Sequence, residues 1–197
     1  DEVHVPAGTY LLSFAGAGED ASLTGDLDFT DAVTITGAGP DKTIIDGRGL
    51  DRVLHHTVYP GAVPAPIVVV SGLTLRNGGG DLSGGGAVYN VGRLELHDVA
   101  ITESAADFFG GGIMNEGTLS IGASTLGPGN GALFGGAVFN FGELSMTDST
   151  IDGNEATNQA GASTTSPPPR SPARRSAATA PLPTAAGSST TAASSWQ

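Results

Sequence analysis

Cysteine is absent from the 197 residues, which removes disulfide staples and any zinc site built on thiolates. Charge is scarce and one-sided. Charged residues make up 14% of the chain, with 8 bases against 20 acids and a net charge of −12, whereas an ordinary domain is about 25% charged. So few bases do not suit a protein that binds nucleic acid through its phosphates. The composition also excludes the Glu-, Lys- and Arg-rich pattern of a long helix or coiled coil. Aromatic residues are only 6%. The longest aliphatic run, Ile67 to Val70, falls far short of the roughly 20 residues of a transmembrane helix. The chain starts at Asp1 with neither Met nor a signal peptide, and the expectation is that it is a piece of a longer protein.

What the chain has in quantity is glycine, 31 residues of it, and two unlike compositions. All the acids and five of the bases (Lys42, Arg48, Arg52, Arg76 and Arg93) lie before residue 157. Residues 157–197 hold no acid, three Arg (Arg170, Arg174, Arg175) and half of the 12 Pro, in a background of Ala, Ser and Thr. No apolar period of 2 or 3.6 runs through them, so a disordered low-complexity tail is expected there.

Before that boundary the sequence repeats. The runs Gly85-Gly86-Ala87-Val88-Tyr89-Asn90, Gly110-Gly111-Gly112-Ile113-Met114-Asn115 and Gly135-Gly136-Ala137-Val138-Phe139-Asn140 follow one another at equal spacing. The period is about 25 residues, within the range of solenoid repeats. Gly92, Gly117 and Gly142 keep the same register, as do Leu94/Leu119/Leu144, Leu96/Ile121/Met146 and Ile101/Leu126/Ile151. Upstream, Val68, Val70, Leu73 and Leu75 match Leu94, Leu96, Val99 and Ile101 at an offset one longer. Each unit carries short alternating stretches between Gly, Asn and Asp turn signals, and none is long enough for a helix. Such a unit cannot bury its apolar side chains alone. Stacked on copies of itself at about 4.8 Å, it buries them in a continuous column, which makes the fold an all-β parallel β-helix. Residues 1–66 fit the same plan less regularly, and His55 to Pro66, with three Pro, reads as an excursion from one coil. Residues 1–156 are thus the expected solenoid, with the regular repeats over 67–156.

Stacking assigns two rows of side chains. Asn90, Asn115 and Asn140 should form a ladder of amides along the axis, a structural role. If Val88, Ile113 and Val138 point inward, alternation sends Tyr89, Met114 and Phe139 outward. That apolar stripe is either a platform for sugar rings or a partner's surface, or it lies under a loop such as the one carrying Phe108 and Phe109.

The segments VPAGTY at 5–10, TITGAGPDKTIIDGRGLDRV at 34–53 and VSGLTLRNGG at 70–79, with the later GGGIMNEGTLSI and DSTIDGNEA, resemble a family of secreted bacterial right-handed β-helix proteins. In that family a Cys-Ser-Leu-Arg-Glu-Ala segment usually precedes the first of them. The GGAV and GGGI cores are also similar to the repeats of polymorphic outer-membrane autotransporters, although Ile151 stands where those prefer Phe. The resemblance implies a right-handed, pectin-lyase-like solenoid and an extracellular or bacterial cell-surface location. It implies no activity.

Enzymes of this architecture use stacked carboxylates, two or three Asp on adjacent coils in the glycosidases, or acids holding Ca²⁺ beside a base in the lyases. Here Asp98 and Asp148 are equivalent but Ala123 stands between them, Glu95 and Ser145 break a second row, and Arg93 is the one base of the clear repeats. The densest polar cluster, Asp46, Arg48, Asp51 and Arg52 with His55 and His56, offers an acid, a base and an anion-binding Arg, but is expected to be an exposed loop with weak local salt bridges. No catalytic, cofactor-binding or metal-binding residue is assigned, and no cofactor is expected. The functional expectation is a non-catalytic secreted or cell-surface stalk, adhesin or passenger. A polysaccharide-processing enzyme (lyase or glycoside hydrolase) and a glycan-binding module are the alternatives. Its expected partners are surface glycans, host or cell-surface proteins, and other copies of itself joined through uncapped coil ends.

The tail keeps the period in a hidden form. Moving each codon's first two bases into second and third place lets Ala160-Gly161-Ala162-Ser163-Thr164-Thr165 read Gly-Gly-Gly-Val-Tyr-Asn, with Thr165 one full period beyond Asn140. Ala185 to Thr190 can read Gly-Gly-Gly-Ile-Phe-Asn one period later. Pro167 and Pro169 do not fit. The tail is accordingly expected to be repeat sequence in a shifted frame.

Overall fold

The computed structural model describes residues 1–16, 23–58, 65–79 and 84–158. The tail expectation from 159 onward, and the Gly80–Asp81 part of the glycine-rich segment, lie outside the described residues. Among the described residues there is no helix, and every strand pairs in parallel with a strand of a neighbouring coil. The first coil holds β1 (Glu2–Val5), β2 (Gly8–Leu11) and β3 (Leu27–Phe29), and the second β4 (Val33–Gly37), β5 (Thr43–Asp46) and β6 (Leu54–His56). In the third and fourth, one long strand does the work of two. These coils are β7 (Ile67–Arg76) with β8 (Val88–Asn90), and β9 (Arg93–Thr102) with β10 (Ile113–Asn115). The fifth has β11 (Thr118–Gly122), β12 (Thr125–Leu126), β13 (Gly131–Ala132) and β14 (Val138–Asn140). The described chain closes with β15 (Glu143–Thr147), β16 (Thr150–Ile151) and β17 (Glu155–Ala156).

Besides a short sheet in which β13 and β17 pair, two long sheets run along the solenoid. One has ten strands, with β1, β4, β7, β9, β11 and β15 as its spine, and the other has five, in the order β14, β10, β8, β6, β3. Val68, Leu94, Leu119 and Leu144 stack in one row, and Val70, Leu96, Ile121 and Met146 in a second. From the five-stranded sheet, Leu27, Leu54, Val88, Ile113 and Val138 supply the facing row. These rows meet in one core, where Val68, Leu73, Val88, Ile113 and Val138 are wholly shielded from solvent. Each fully buried Leu, Ile or Val contributes about 1.5–3 kcal/mol by leaving water. One coil alone has nothing to bury them against.

The corners explain the glycines and two of the acids. Gly85, Gly110 and Gly135 bend into the five-stranded sheet at φ of 77°, 63° and 65°, a left-handed geometry that costs Gly nothing. Asp98 within β9, Ala123 between β11 and β12, and Asp148 between β15 and β16 hold φ of 53°, 50° and 51°. Asp tolerates that conformation better than most residues.

Candidate functional site

The five-stranded sheet organises the polar chemistry. Its strands place Phe29, His56, Asn90, Asn115 and Asn140 in one row and Asp28, His55, Tyr89, Met114 and Phe139 in the next. Asn90, Asn115 and Asn140 are all buried. Asn90 Nδ2 donates to Asn115 Oδ1 at 2.6 Å, and Asn115 Nδ2 donates to Asn140 Oδ1 at 2.6 Å. Each amide also donates to the carbonyl two residues on, that of Gly92, Gly117 or Gly142. The ladder therefore closes the turn after each strand as well as joining the coils.

His56 forms the first rung. Its Nδ1 lies 3.0 Å from Asn90 Oδ1. Since Asn90 spends its amide protons on Asn115 and on carbonyls, His56 must donate from Nδ1, which assigns its tautomer. His56 is wholly buried, and its Nε2 has no hydrogen-bond partner among the described residues. Burial pushes its pKa down and nearby His55 adds to this, against an opposing pull from the Asn90 hydrogen bond. A second, shorter ladder runs at another corner. Asn130 Nδ2 donates to Asn154 Oδ1 at 2.8 Å, and the Ser104 backbone N–H donates to Asn130 Oδ1 at 3.1 Å.

In the outer row Met114 is buried, while Tyr89 and Phe139 are half-buried. Phe109 covers this end of the row, 4.6 Å from the Phe139 ring and 5.6 Å from that of Phe134. Phe141 packs edge-on against Phe139 at 4.8 Å. Beside this row the open rings are thus Phe108 and Phe141, 41% and 64% exposed, rather than the stripe itself.

The polar segment from Asp46 to His56 is exposed only at its turn, where Arg48 and Gly49 reach solvent, and is otherwise not the exposed loop expected. Asp46, Asp51, Arg52, His55 and His56 are all buried, because β5 and β6 carry the segment's two ends into the stacked sheets. His55 and His56 therefore belong to a strand and not to the excursion expected from residue 55. The cluster also divides. Asp46 accepts from Arg76 Nε at 2.9 Å, from Asn77 Nδ2 at 3.1 Å to each oxygen, and from the Arg48 N–H at 2.9 Å. Burial works to raise the Asp46 pKa, but the bonds from Asn77, Arg48 and Arg76 together hold it below the ordinary carboxylate value.

The other half gathers around the first two coils. Arg52 Nε donates to Asp26 Oδ2 at 2.8 Å, with both side chains at most 3% exposed. His55 Nδ1 lies 3.2 Å from Asp28 Oδ1, with side chains 8% and 2% exposed. Tyr89 stacks flat on His55, the rings 5.1 Å apart and 6° from parallel, and Arg52 lies 5.6 Å from the centre of the same ring. Asp26 and Asp28 carry no signal in the sequence. Asp28 and His55 are separated by 27 positions, whereas the next step along the same sheet, from His56 to Asn90, takes 34. No constant period marks them.

Asp98 and Asp148 stay apart, with the Ala123 coil between them, and each occupies a left-handed bend. Among the described residues no helix is long and apolar enough to cross a membrane. No protein-family model, curated protein or solved structure matches the chain.

Proposed function

We infer that the chain is a non-catalytic β-helix serving as a stalk, adhesin or passenger outside the cell, on a bacterial surface or secreted. The observation that carries this reading is that the repeated polar residues are spent on the fold itself. Asn90, Asn115 and Asn140 bond to one another and to turn carbonyls. Asp98 and Asp148 shape bends. An open depression lined by Ala105, Ala106, Gly131 and Leu133 brings only Asp107 and Glu155 as acids, with no base. A net charge of −12 suits an exposed, soluble surface. Incubation of the purified chain with a panel of acidic and neutral polysaccharides tests this. No new reducing ends and no unsaturated uronate absorbance are expected, and turnover of any of them would overturn the reading.

A glycan-binding role is the second reading, favoured by the exposed rings of Phe108 and Phe141 beside Phe109 and Phe139. Aromatic faces of this kind stack on sugar rings or anchor a protein partner. Glycan-array binding that Phe141→Ala abolishes would support it, and binding unchanged by that substitution would not. Self-association belongs to the same proposal. Strands β1 and β2 form an edge of the ten-stranded sheet, and Val3 and Leu11 there are 45% and 56% exposed. Edge strands of this kind template pairing with another chain. Light scattering should show mass rising with concentration, and a constant monomer mass would count against it.

A further inference from the structure

We propose that Asp26, Asp28 and His55 bind one divalent transition-metal ion of the zinc class, tying the first coil to the second. Asp26 and Asp28 flank the start of β3, and β6 carries His55 directly above Asp28. One ligand atom from each residue can be chosen so that all lie within 4.8 Å of one another. Two carboxylates and an imidazole are a donor set for zinc, manganese, iron or cobalt, whereas calcium takes oxygen ligands alone. The 3.2 Å between His55 Nδ1 and Asp28 Oδ1 also fits as an edge of a coordination sphere. Two atoms at about 2.0–2.1 Å from a common ion and subtending roughly 100° are that far apart.

One observation beyond the donor set points to a cation. Asp26 Oδ1 is sealed from solvent and has no hydrogen-bond partner among the described residues, although Asp26 is buried to 3% exposure. A carboxylate oxygen in that position is costly unless a positive charge or a donor meets it. Arg52 engages Asp26 through Oδ2, which leaves Oδ1 for the ion and fixes the carboxylate's orientation. Ligating carboxylates are commonly held by such an outer hydrogen bond. The ion would act where the repeat is least regular and the coils have least identity to hold them in register.

The test uses the full chain, stripped with a chelator and titrated with Zn²⁺ calorimetrically and with Co²⁺ by visible absorption. One ion per chain is expected, with affinity falling about tenfold or more in both Asp28→Asn and His55→Gln. Asp98→Asn, on a distant bend, should bind like the parent. No saturable binding, or binding equal in parent and both variants, overturns the site. If a variant loses its β-rich spectrum, the unsubstituted chain decides. One equivalent of Zn²⁺ should shift the ring nitrogen resonances of His55, and unshifted resonances would refute coordination.

Discussion

Removing the middle rung of the amide ladder, by Asn115→Ala, should be one of the most damaging single truncations of a polar side chain. Asn115 is wholly buried. It accepts from Asn90 at 2.6 Å and donates to Asn140 at 2.6 Å and to the carbonyls of Gly117 and Glu143 at 3.1 Å each. Two ladder bonds, at about 1 kcal/mol net each, are lost outright. The Gly117 carbonyl keeps the Glu143 N–H, but the Glu143 carbonyl loses its Asn115 donor, which adds roughly 1–2 kcal/mol of desolvation that is no longer offset. Asn90 keeps contacts to the carbonyls of Gly92 and Thr118, so its amide is not stranded and adds little. The sum is about 3–4 kcal/mol. Urea denaturation followed by far-ultraviolet circular dichroism measures it, with Glu116→Ser on the neighbouring exposed turn as the control. A loss below about 1 kcal/mol would mean that the ladder is incidental to stability, and the structural assignment of the Asn row would fail.

Ile113, completely buried in the row facing the ten-stranded sheet, should tolerate Asp far worse than Glu116 tolerates Ser. The first places a charge in the column at a cost of several kcal/mol, while the second should stay within about 0.5 kcal/mol; equal urea midpoints would reverse the inward assignment. Stability should also fall on acidification in two stages. His56, with its pKa lowered on folding, stabilises fully above its unfolded value near 6.5 and loses that contribution as pH drops through its folded value. Asp46, also lowered, loses its contribution at lower pH, below its unfolded value near 3.8. His56→Asn, which keeps an amide in the ladder, should flatten the first stage, and an unchanged pH slope would show that His56 is not its source. For the tail, the coding DNA decides: the alternative frame across codons 160–197 should be free of stops and encode Gly-Gly-Gly-x-x-Asn units, and a stop codon or their absence would end the idea.

The parts of the molecule that could be read from residues alone are those where coils have equal length. Val88, Ile113 and Val138 recur at a constant interval and stack directly, because an insertion-free coil converts spacing in sequence into position in space. The same rule located the Asn ladder's three amides. It failed at the next rung, since the step from His56 to Asn90 is 34 and His56 is no amide. It failed again for Asp26 and Asp28, which only the fold brings to Arg52 and His55. The Asp46 to His56 segment looked exposed because polar residues between Gly turns usually are. Two strands take its ends into the sheets, and mutual pairing makes that burial tolerable. The row of Asp98, Ala123 and Asp148 was legible as a broken acidic row, but its left-handed backbone was not, because Ala123 gives no sign of it.

Every inference rests on coils stacking in the register that sets Asn90, Asn115 and Asn140 one above another, and cross-linking tests that register directly. The chain has no native Cys, so introduced pairs report without background. Ser120 and Ser145 are stacked partners on β11 and β15. Their Cα atoms should be about 4.8 Å apart, within the span a disulfide bridges. Thr147, two residues along, is on the same face but roughly 8 Å away on the diagonal, beyond that span. Under mild oxidation, Ser120→Cys with Ser145→Cys should close an intramolecular disulfide, detected as a linked peptide by mass spectrometry, while Ser120→Cys with Thr147→Cys should not. Linkage of the second pair in preference to the first, or of neither, would contradict the stacked solenoid.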